Sequence, residues 1–147
     1  MSLHTTNLSA NAQRAQTPTQ VRSRPRQLYL SLATLFAGGV LVQVFLAGAG
    51  IFSDGAWLGL HGMFAIVLYL LSIGLVILSF VARLPRAVKA QSGLLVLLIM
   101  SQWFWLYGVS DLGFPLLKAI HPVNALLIFG LPLWQIAQVR RLERPAA

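Results

Sequence analysis

The chain of 147 residues contains no cysteine. That absence excludes disulfides, thiolate metal ligation, c-type haem attachment and cysteine nucleophiles, while leaving the redox compartment open. Acidic side chains are nearly as scarce, with only Asp54, Asp111 and Glu143 present. Charged residues of both signs make up 10% of the chain, against about 25% in a soluble domain. No carboxylate falls inside an apolar run, which argues against a proton pump or a carboxylate-dependent cation transporter. No residue spacing matches a zinc, calcium or phosphate site, and Asp54 and Asp111 lie in loops, outside any reasoned Ser-His-Asp arrangement. Independent enzymatic activity is not expected.

What remains is 57% hydrophobic residues and eleven Lys and Arg, for a net charge of +8. The basic residues flank apolar runs, so the charge suits an anionic lipid surface rather than nucleic acid. Apolar runs cover about 28–52, 57–82, 92–110 and 115–138. Each reaches or approaches the ~20 helical residues that span a hydrocarbon core. The stretch before "AGAG" is too long for a signal peptide, so the first run reads as a retained transmembrane helix.

Short connections make successive helices antiparallel, and the expected fold is an all-α integral membrane four-helix bundle in up-down-up-down order. Residues 1–27 are polar and basic and read as a disordered cytoplasmic arm. The transmembrane domain covers 28–139, and 140–147 forms a basic cytoplasmic tail. No internal repeat is evident. If the helices alternate, ten of the eleven basic residues fall on one side and only Lys118 on the other. Both termini are therefore expected on the cytoplasmic side of a bacterial plasma (inner) membrane. Helix four has two candidate starts, Pro115 and Pro122, and Pro132 is expected to bend it.

The polar residues within the runs are few: Gln43, His61, Gln102, His121 and Asn124. At 1.5 Å per residue, His61 lies roughly 6 Å and His121 roughly 9 Å inside their spans, with Gln43 and Gln102 roughly 10–12 Å deep. All belong to the half of the bundle away from the termini, which points to one polar pocket. Helices two and four are diagonal in such a bundle, roughly 11–14 Å apart for sides of 8–10 Å. Two histidines on that diagonal suit the axial ligands of one b-type haem. Gln43, Gln102 and Asn124, or backbone carbonyls, would then hold the second imidazole nitrogens. Gly62, Ala65 and Ala125 would leave room for a macrocycle, and Lys118 could meet a propionate. The plainer reading is interhelical hydrogen bonding by the same side chains, with no cofactor. A third is a quinone or chlorophyll site.

At "LVQVFLAGAGIF", "LHGMFA" and "IHPVNALLIFG" the chain resembles an uncharacterised family of small bacterial four-span membrane proteins, over roughly residues 28–138. The resemblance implies a fold and a membrane location but no activity. More loosely, the histidine arrangement resembles membrane b-type cytochromes. With one histidine pair within the spans (His4 lies in the arm), a two-haem relay is not expected. The expected function is one-haem electron transfer, or an accessory role in a larger membrane redox complex. A structural or assembly subunit, or a homo-oligomer, is the alternative.

Overall fold

The computed structural model describes residues 24–143, in which four helices are each long and apolar enough to cross a membrane. They are α1 (Arg24–Phe52), α2 (Ala56–Val81), α3 (Arg86–Asp111) and α4 (Pro115–Arg141). No strand occurs among the described residues. The expected arm lies outside the described residues as far as residue 23, and α1 is already helical at Arg24. Residues 144–147 of the expected tail also lie outside them.

The connections are short because each helix is stopped by local chemistry. Asp54 Oδ1 accepts the Ala56 N–H at 2.9 Å and satisfies a free donor at the start of α2. After α2, Arg83 takes the left-handed conformation (φ 51°), its N–H bonding Phe80 O while the Leu84 N–H bonds Ser79 O. After α3, Gly113 (φ 83°) does the same, with its own N–H on Ser110 O and the Phe114 N–H on Val109 O. Both are Schellman closures, each followed within two residues by a proline. The start of α4 lies at neither extreme expected from its prolines. Pro115 opens a 3₁₀ segment, Pro115–Ala119, and the α-helix begins at Ile120. Pro122 then falls in the first α-helical turn, where a missing N–H breaks no ladder bond. His121 is therefore helical.

α1 and α3 each pack against both α2 and α4, and neither diagonal pair packs backbone to backbone. The result is the up-down-up-down bundle. Around it, Leu35, Phe45, Leu70, Leu97 and Leu126 are exposed, as expected where lipid is the solvent. Gly39 marks a close approach of α1 to α2, since a Cβ there would stand 2.7 Å from Leu68 Cδ2. The adjacent Gly38 faces open space and contributes no such contact.

Packing is uneven along the bundle. Toward the termini, Tyr29, Phe36, Leu75, Val88, Leu95 and Val139 are among the fully enclosed side chains. Toward the 53–55 and 112–114 loops, no residue from Leu41 to Val67 is buried, and between Met100 and Val123 only Val109 is. The closed half also holds a polar network absent from the sequence reading. Tyr29 Oη lies 3.1 Å from Ser92 Oγ, and Gln135 Nε2 donates to the same oxygen at 3.3 Å. It joins α1, α3 and α4 through fully buried groups, while Gln135 Oε1 has no hydrogen-bond partner among the described residues. The open half carries the histidines.

Candidate functional site

His61 stands in the second turn of α2, and its Nδ1 lies 3.0 Å from the backbone oxygen of Gln43 on α1. Gln43 answers from its side chain, Nε2 donating to the His61 carbonyl at 2.8 Å. The two residues therefore clasp α1 to α2 reciprocally. His121, in the first α-helical turn of α4, places Nδ1 3.5 Å from the backbone oxygen of Gln102 on α3. That contact is long, but it has the same form. Since a carbonyl oxygen only accepts, both Nδ1 atoms must carry hydrogen when these bonds form. Each neutral ring then keeps its lone pair on Nε2.

The two rings meet across the α2/α4 diagonal, with centroids 6.3 Å apart and planes tilted by 56°. Two imidazoles on one metal centre, each about 2.0–2.1 Å from it and roughly 1.1 Å more to the ring centre, would have centroids about 6 Å apart. The separation and the engaged Nδ1 atoms fit a bis-imidazole centre. Both rings are half-buried at the edge of the loosely packed half, and Gln43 Oε1 is buried with no partner.

Asn124 is the one buried member of the group. Its Nδ2 lies 2.8 Å from Leu98 O, 3.0 Å from Ser101 Oγ and 3.0 Å from Gln102 Oε1, so it ties α4 to α3. It touches the carboxamide of the residue whose carbonyl holds His121, one step removed from the rings. Asn124→Leu should therefore lower stability by roughly 0.6–1.7 kcal/mol, the range of interhelical hydrogen bonds in membranes. Thermal unfolding in detergent measures this, and an unchanged melting temperature would remove the tie. Lys118 is exposed on the 3₁₀ segment, three residues ahead of His121. Ala65 and Ala125 are half-buried and Gly62 is exposed.

Helical rise brings these residues to one level but does not say how they pair. The acceptors for both histidines turn out to be backbone oxygens of the two glutamines. The two hairpins also carry some of the same residue types in the same order. Gln43, Phe45, Ser53-Asp54, Gly55 and His61 in the first hairpin match Gln102, Phe104, Ser110-Asp111, Gly113 and His121 in the second. Glutamine and histidine stand 18 residues apart in one and 19 in the other. Unequal internal spacing hides the match: Gln to Asp is shorter in the second hairpin, while Asp to His is longer. The second hairpin also contains a π-helical turn, Phe104–Gly108, beginning two residues after Gln102. Such turns widen a helix locally and are frequent at functional sites. Phe104 and Trp105, its first two residues, pack edge to face with centroids 5.1 Å apart.

A family of unknown function (DUF6220) matches residues 43–108, from the first glutamine to the end of the π turn. The match includes His61 and Gln102 and stops short of His121 and Asn124. No curated protein and no solved structure matches the chain. Similarity to membrane b-type cytochromes is not shown.

Proposed function

We propose that this small multi-pass membrane protein holds one b-type haem between His61 and His121, and serves electron transfer or an accessory role in a membrane redox complex. The observation carrying the reading is the pairing itself: two rings 6.3 Å apart on diagonal helices, each with Nδ1 on a backbone carbonyl. When bound, a haem would supply one-electron exchange at its iron. The protein's share is to fix both imidazoles and present Nε2, which the glutamine carbonyls are placed to do by accepting from Nδ1. Gln43, Gln102 and Asn124 would position the ligands, and Lys118 would lie toward the propionates. A second reading, pure helix clasping, draws on the reciprocal Gln43–His61 bonds, which join α1 to α2 without any cofactor.

The absorbance spectrum of protein expressed with ample haem separates the two. A Soret band with reducible α and β bands is expected. Its complete absence would falsify the haem reading and leave the clasp.

The proposal also sets an orientation in a bacterial inner membrane, with both termini cytoplasmic and the histidines toward the outer face. It rests on the basic residues, ten of eleven of which lie toward the termini and the 82–85 connection. Cysteine introduced at Asp54 or Asp111 is expected to react with an impermeant thiol reagent in intact cells, and cysteine at Lys89 is not. The opposite labelling pattern would invert the assignment.

A further inference from the structure

Far from the histidines, at the end of the bundle carrying the termini, α1 and α4 leave an open groove of about 540 Å³ lined by Gln27, Leu30, Ser31, Thr34, Leu35 and Arg140. We infer that this groove is a binding site for an anionic phospholipid, with the headgroup phosphate at Arg140, Gln27 and Ser31 and acyl chain along Leu30 and Leu35.

The placement of its groups carries the inference. Gln27, Ser31 and Thr34 follow one face of α1 at helical spacing, while Arg140 comes from the last turn of α4. Thr34 Oγ1 donates to Leu30 O at 2.9 Å, so its hydrogen is already committed. The Gln27 amide and the Ser31 hydroxyl have no such bond among the described residues, and no carboxylate lines the groove. Donors without acceptors beside a guanidinium select an anion, and a guanidinium can grip a phosphate through two N–H groups. Leucines on the same walls select an amphiphile rather than a free ion. Arg24, Arg26 and Arg141 lie at the same end of α1 and α4 and bias the surroundings toward negative lipid.

The test is native mass spectrometry of the full chain released from detergent after titration with phosphatidylglycerol, phosphatidylcholine of the same acyl chains, or glycerol phosphate. Phosphatidylglycerol should bind at concentrations at least fivefold lower than phosphatidylcholine, and glycerol phosphate should not bind. Arg140→Ala should weaken the phosphatidylglycerol adduct about fivefold, the contribution of one basic side chain near a membrane surface. The milder Ser31→Ala, at an exposed position, should weaken it about twofold with folding intact. Arg141→Ala, which removes equal charge outside the groove, should weaken it much less than Arg140→Ala. Equal binding of both lipids, equal loss in the two arginine variants, no loss with Ser31→Ala or binding of glycerol phosphate as strong as that of the lipid would each overturn the site.

Discussion

Replacing either His61 or His121 by alanine is expected to erase the bis-histidine haem spectrum completely, because one iron held by two rings loses its low-spin state when either departs. Stability should suffer far less. Each substitution removes one interhelical bond, from Nδ1 to Gln43 O or to Gln102 O, and such bonds average about 0.6 kcal/mol in membrane proteins. Circular dichroism on the same samples should therefore still report helical protein. Gln43→Leu provides a contrast. It removes the Nε2 donor to His61 O but leaves the backbone oxygen that His61 uses. Haem should be retained, with its midpoint potential shifted by the lost neighbour. A low-spin spectrum persisting in either alanine variant would show that the axial ligand lies elsewhere.

The largest effect on stability is expected at Ser92. This side chain is completely buried and accepts from Gln135 Nε2, while lying within hydrogen-bond distance of Tyr29 Oη and of Val88 O on its own helix. Ser92→Leu would force a branched side chain into a site filled by a hydroxymethyl group, which costs about 1–3 kcal/mol in a close-packed interior. It would also strand Tyr29 and Gln135 at roughly 0.6 kcal/mol or more each. A total of about 2–4 kcal/mol is expected, read from unfolding in a denaturing detergent titration. Ser92→Ala keeps the volume and loses only the bonds, so it should fall well below that. Equal losses in the two variants would mean that space at Ser92 is not limiting.

The four helices could be read directly from hydrophobic run length, because lipid requires long spans and leaves little freedom in their number. The common level of His61, His121, Gln43, Gln102 and Asn124 followed from helical rise alone. Their partners did not, because which face of one helix meets which face of another is set by packing along the whole bundle. Asn124 stands one turn after His121, and its amide joins the same helix, α3, that holds the His121 ring. Tyr29 and Gln135 sit near the ends of their spans, where an aromatic or amide normally reads as an interface residue, and this masked the network around Ser92. The π turn carries no proline or interior glycine to announce it; Gly108 closes it. Alpha-helical onset at Ile120 was hidden between two prolines that each permit a start.

The two hairpins depend on each other at the histidines. Each contributes one glutamine carbonyl and one imidazole, so neither half holds both rings. Loss of either imidazole therefore leaves the other hairpin's glutamine and histidine unchanged in sequence, yet without their counterpart across the bundle.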